Sequence, residues 1–310
     1  MEKKLIKKIY NKVPITIEQQ INLLNKKGLL IDNKQTAYAF LHHVSYYRLR
    51  AYTYPFQDNE NNLLHIIKRN DINFSDIIAL YHFDKNLREL LFSAISTIEV
   101  SLRTTITQFY SVEFNDSHWF TNSNHYYKNY TSIIETIKSE VNRSHEEFIN
   151  HYFSKYTLPV IPPSWMTLET VSFGTLSRLL KDLQESSIKK KIASFYGLPN
   201  TDILCNWIHS IAMLRNHCAH HSRIWNRRLA IQIKIPRNTT YSFISANHSK
   251  HIKRNKIYGV IIAINYLLNI IIPKNDFINS VKTLINKKNK LVNLKDIGFP
   301  NNWENEDIWK

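Results

Sequence analysis

Between Ile77 and Phe109, apolar residues recur at spacings of three and four: Ile77, Leu80, Phe83, Leu87, Leu91, Ala94, Ile98, Leu102, Ile106 and Phe109. At 3.6 residues per turn these side chains share one face of a helix. At 1.5 Å per residue, the helix predicted over 76–110 is about 50 Å long. Only 5 Gly and 9 Pro occur in 310 residues, which leaves little room for hairpins or long loops. The expected fold class is therefore all-α. A hydrophobic content of 43% supports a sizeable core in one large domain or two smaller ones.

The segment TIEQQINLLNKKGLL reads as a helix with Thr16 as N-cap and Gly28 as its stop, and NKQTAYAFLHHVSYYRL as a second helix. With the tyrosine- and arginine-rich run beyond them, they are read as a small basic N-terminal module over 1–70, a possible RNA contact. The larger helical domain is read over 71–310. Residues 113–163 look polar and aromatic, with an extended LPVIPPSW connection. A further helix is predicted over SWMTLETVSFGTLSRLLKDL with Gly174 at a close-packing point, and a short one over IKKKIASFYGL that Gly197 and Pro199 end. Leu204, Trp207, Ile211, Leu214 and Cys218 form the apolar stripe of the next helix. A basic irregular stretch (234–256), an apolar helix (257–271), an amphipathic helix near 276–288 and a docked tail complete the chain.

The formal charge is +16, from 41 Lys and Arg against 25 Asp and Glu, which suggests a polyanionic partner, above all nucleic acid. Cys205 and Cys218 lie about 20 Å apart along one predicted helix and cannot pair, in keeping with a reducing, cytoplasmic setting. The charged N-terminus lacks the apolar core of a signal peptide, and the longest apolar run, Tyr258 to Ile272, is short for a membrane span. No membrane partner and no small-molecule cofactor are expected.

The stretch LRNHCAHHSRIWNR, Leu214 to Arg227, concentrates three histidines, three arginines and two asparagines. Continued as a helix, it sets Asn216, His220, Arg223 and Arg227 in a row opposite the apolar stripe, with Arg215 between the two faces. Three readings compete: a solvated basic face, a zinc site and a metal-free RNA-cleaving site. Zinc could use Cys218 with His221, or Cys205 with His209, but Cys218 belongs to the apolar stripe and no second ligand pair occurs at finger spacing. RNA cleavage needs a base for the 2′-OH, an acid for the 5′-oxygen and cations for the phosphorane. Histidine and arginine supply these.

RNHCAH matches the R-N-x-x-x-H signature of HEPN ribonucleases, and the longer stretch is similar to the hallmark of bacterial abortive-infection proteins of the AbiD/AbiF type. Blocks at 44–56, 81–106, 162–183 and 297–303 agree in the same order. The resemblance implies an all-α HEPN fold, a homodimer with a composite site and metal-independent cleavage without a cofactor. It also implies a phage-defence or toxin–antitoxin role, with binding of a small structured RNA. Arg215, Asn216 and His220 carry over as catalytic residues, and His217, His221 and Arg223 as supporting ones, with Arg227 at the rim of the cleft. Glu99 and Arg103 are read either as a surface ion pair or as a cleft residue with its orienting carboxylate. Tyr47, Arg48 and Arg50 are candidates to stack bases and hold phosphates. The alternative is a non-catalytic protein that holds a cognate small RNA in the same cleft.

Overall fold

The all-α expectation holds in three dimensions. The structure, a computed structural model, describes residues 9–58, 66–67 and 71–310, so the start of the charged N-terminus and parts of 59–70 lie outside the described residues. Among the described residues no β-strand forms, and the only extended pairings are isolated bridges. The chain divides into two compact units, Met1–Phe83 with Asn289–Leu291 and Asp84–Lys288 with Val292–Lys310.

The first unit holds α1 (Ile17–Lys26), α2 (Lys34–His43), α3 (Tyr46–Thr53) and the start of α4 (Phe74–Phe114). Thr16 caps α1 in a reciprocal box with Gln19, satisfying two otherwise orphaned backbone N–H groups. Gly28 takes the positive φ (85°) that ends the helix, as the sequence suggests. The single helix expected over α2 and α3 is two. Val44 is extended and Ser45 accepts from Arg48 N at 3.2 Å, opening α3. The stripe of α4 is buried from Ile77 to Ile106, with Phe109 half-buried at its end.

The second unit is built around α10 (Thr201–Ala219), which packs on α8 (Phe173–Asp182), α9 (Ser187–Phe195) and α12 (Ile257–Ile271). The segment expected to be irregular over 113–163 contains α5 (Tyr130–Asn142) and α6 (Glu147–Lys155), and α5 packs on α7 (Ser164–Thr170) and α8. The helix expected over 164–183 breaks at Val171–Ser172, where Ser172 caps α8. Gly174 is no close-packing point: a Cβ there would meet only the Ser172 hydroxyl, at 3.8 Å. Beyond α11 (Ala246–Ser249), α12 is buried from Ile257 through Leu268, and α13 (Phe277–Asn286) and α14 (Leu294–Ile297) come next. The tail docks as expected, with Trp309 buried and its Nε1 donating to the Tyr258 hydroxyl at 3.1 Å. Among the described residues no helix is long and apolar enough to cross a membrane.

Four histidines of this unit, His125, His209, His217 and His248, have pKa values held below the usual imidazole range, chiefly by burial. The unfolded chain binds protons at these sites near pH 6.5, whereas the folded chain resists them to lower pH. Their neutral forms cost nothing above that pH, and stability falls as pH drops through and below it. The thermal midpoint is expected to be lower at about pH 5.5 than at about pH 7.5; a flat or rising midpoint on acidification contradicts this.

Candidate nucleic-acid interface

Helix α10 starts at Asn200, whose side chain accepts from Ile203 N at 2.9 Å, and carries Asp202 in its first turn, where a negative charge suits the helix dipole. Leu204, Trp207, Ile211, Leu214 and Cys218 are all buried, as their spacing implies. Burial also pushes the Cys218 thiol up to about 12, and the half-buried Cys205 thiol up as well, which disfavours the reactive thiolate at both. Among the described residues no three His, Cys, Asp or Glu side chains converge as metal ligands.

The helix stops earlier than its sequence pattern implies. Ala219 is its last residue and His220 its C-cap. His221 adopts a left-handed conformation (φ 52°), its N–H donating to Cys218 O at 3.0 Å, while Ser222 N donates to His217 O at 2.9 Å. These two bonds form a Schellman closure, with histidine in the position that glycine usually fills. The helical row from Asn216 to Arg227 is therefore corrected: Asn216 and His220 belong to it, whereas Arg223 and Arg227 lie on the turn beyond. There Arg227 Nε donates to Arg223 O at 2.8 Å.

Two acidic residues of α4 hold this segment. Asp84 is 0% exposed; its Oδ1 accepts from Ile224 N at 3.1 Å and Trp225 N at 2.6 Å, and its other oxygen pairs with Arg88, itself 4% exposed. Arg88 also reaches Ser222 O at 3.5 Å. The turn beyond the helix end is thus fixed by one buried ion pair. The sequence reading missed this pair, although a signal for it exists: Asp84 falls on the apolar face defined by Leu80, Leu87 and Leu91, where a charge has to find partners.

Glu99 lies farther along α4. One of its oxygens pairs with Arg103 and the other stands 3.5 Å from Arg215 Nε. This is not a surface pair: Glu99 is 8% and Arg103 7% exposed, and Arg103 also donates to Leu168 O. Arg103 is thus spent on internal partners, and Glu99 links it to Arg215. The Arg215 guanidinium, still partly exposed, sits 5.4 Å from the centroid of the Phe92 ring.

The groups left facing solvent are Asn216, His220 and His221, with Arg215, His217, Arg223 and Arg227 half-buried around them. His217 is kept below the usual imidazole range by burial and by the nearby charges of Arg227 and His220. Lys256 adds a further cation, donating to Asn226 Oδ1 at 3.0 Å. An imidazole at a helix end, an amide one turn back and several guanidinium groups form a surface suited to a phosphodiester.

Tyr47, Arg48 and Arg50 belong to the first unit, on α3. Tyr47 is 84% exposed, Arg48 and Arg50 are half-buried, and Tyr52 is in the core. Lys27 stands close enough to Arg50 and Lys12 that burial and their charges depress its pKa, so this unit has its own basic cluster, of which the sequence reading picked out only Arg50.

No curated protein and no solved structure matches the chain. The family model for Abi-like proteins matches residues 39–226, a span that includes the N-terminal arginines, Asp84, Glu99 and all of LRNHCAHHSRIWN. The chain belongs to the Abi-like protein family and is an abortive-infection-like protein.

Proposed function

We propose that this abortive-infection-like protein is a HEPN endoribonuclease that cuts RNA without a metal ion. The observation that carries the reading is the pairing of an exposed His220 at the end of α10 with an Arg215 anchored through Glu99 to the buried Arg103. In the proposed reaction an imidazole removes the 2′-OH proton, and the 2′-oxygen attacks phosphorus as the P–O5′ bond breaks. An acid then returns a proton to the departing 5′-oxygen. Arg215 offsets charge on the phosphorane, and Asn216 orients the phosphate. One chain presents one such set. A homodimer about a two-fold axis would bring His220 and the partner's His220 to opposite oxygens, with Arg223 and Arg227 at the cleft rim. A small structured RNA is the partner that would restrain or guide such an enzyme in the cytoplasm.

Purified full-length protein incubated with total RNA in excess EDTA tests this. Fragments carrying 2′,3′-cyclic phosphate and 5′-hydroxyl ends are expected. Tight RNA binding with no cut under any condition would support the non-catalytic RNA-holding reading instead. Cleavage that EDTA stops would overturn the metal-independent mechanism.

A further inference from the structure

The C-terminal tail and the segment that precedes α12 line an open polar cavity of about 550 Å³, within the size range of small-molecule sites. Its lining is cationic and amide-rich. Lys253 and Lys295 contribute ammonium groups, neither in an ion pair within 4 Å among the described residues, and His251 adds an exposed imidazole. Asn301 and Asn305, both exposed, add side-chain amides to the lining. The one carboxylate on the wall, Glu306, is committed elsewhere: it accepts from Ser245 N at 2.9 Å and from the Ser245 hydroxyl at 2.6 Å, and stands 3.5 Å from His248 Nδ1.

The cavity adjoins the motif through one residue. Gly298, on the cavity wall, has φ 104°, and a Cβ built on it would fall 2.4 Å from the Lys256 Cβ, so the tail lies directly on the Lys256 stem. The other end of Lys256 bonds Asn226 of the motif segment. Its ammonium feels Arg223, Arg228 and Lys253, with Asp296 as the opposing charge. Arg223 and Lys253 thus both lie near Lys256, with the Asp296 carboxylate close to Lys256 and to Lys253.

We infer that this cavity is a nucleotide-binding subsite, in which Lys253 and Lys295 meet the phosphate and the Asn301 and Asn305 amides meet the edge of the base. Amides donate and accept together, which is what a base edge requires, and lysines bind phosphate as point charges. The nucleotide is a residue of bound RNA, a source that rests on the ribonuclease reading above; a free nucleotide has the same chemistry.

Photocrosslinking of the full-length protein separates the two. One arm uses a single-stranded RNA containing 4-thiouridine, the other 4-thiouridine monophosphate alone. With RNA, adducts are expected in the peptide spanning 295–306. Lys253→Glu with Lys295→Glu is expected to remove them and to lower RNA affinity on the order of tenfold. The same charge change at exposed Lys287 and Lys288, outside the cavity, is expected to do far less. The neutral pair Asn301→Ala with Asn305→Ala tests the site without altering charge, and serves if the charge reversals impair folding. Adducts with the monophosphate alone, in a protein that binds no RNA, would keep the subsite and sink the ribonuclease reading. RNA adducts confined to other peptides, with both pairs of variants binding as the parent does, would overturn the subsite and leave the ribonuclease reading standing. No adduct in either arm, from a protein that still cuts RNA, overturns the subsite and leaves the ribonuclease reading standing.

Discussion

His220→Ala is expected to abolish RNA cleavage while leaving the melting curve and RNA affinity close to those of the parent. The ring is exposed at the C-cap of α10, and the closure of the helix uses the backbone of residues 216–222 rather than this side chain. Truncation therefore removes the proposed proton-transfer group without opening a cavity, and loss of such a group costs about 10²–10⁴-fold in rate. Arg215→Ala is expected to lose cleavage to a similar degree through loss of phosphorane stabilisation, a contribution of roughly 10²–10³-fold for one donor. It differs from His220→Ala in leaving Glu99 with Arg103 as its remaining ion partner. Cleavage by His220→Ala at the parental rate, measured by the appearance of cyclic-phosphate ends, would remove His220 from the mechanism.

Asp84→Ala is expected to be the most destabilising single change at the site. The carboxylate satisfies two backbone N–H groups and Arg88, all buried. Breaking a buried ion pair from one side costs about 3–5 kcal/mol, because the surviving charge loses its counter-ion where water does not reach it. Urea unfolding should show the loss directly. The double change Asp84→Leu with Arg88→Met also removes the charge left without its counter-ion and should recover part of that loss. Recovery should be incomplete, since the buried N–H groups of Ile224 and Trp225 lose their Asp84 acceptor, at about 1–3 kcal/mol each. If Asp84→Ala unfolds at the parental urea concentration, the pair does not hold the segment.

The elements legible in the sequence are those whose determinants are local. The capping box of Thr16 and Gln19, the stripe of α4 and the limits of α12 are all written in adjacent residues. Both helix breaks that escaped notice share a local sign as well, a Val–Ser pair. Val44 and Val171 take extended conformations, and Ser45 and Ser172 cap α3 and α8, while the apolar periodicity continues across each break. Short α6 buries only Ile149 and Tyr152, too few positions to define a period. The stop of α10 had no such sign. No glycine lies just beyond Ala219, and the turn is fixed by a carboxylate distant in the chain, so periodicity carried the helix on to Arg227. For the same reason Arg215, Asn216 and His220 could be picked out from their motif, whereas the burial of Glu99 and Arg103 and the part played by Asp84 could not.

The ties that fix the motif segment span 140 and 141 residues of chain, from Asp84 to Ile224 and Trp225. Contacts of such separation close late in folding, since the entropy of the intervening loop has to be overcome before they are rewarded. During biosynthesis α4 leaves the ribosome long before its partners exist, and Asp84 has neither of these two N–H groups to accept from until Ile224 and Trp225 have been added. A nascent or prematurely ended chain can hold Arg215, Asn216 and His220 and still lack the turn that sets them. In a member of an abortive-infection family, proposed above to cut RNA, this order of events withholds the assembled surface from every copy that ends before Trp225.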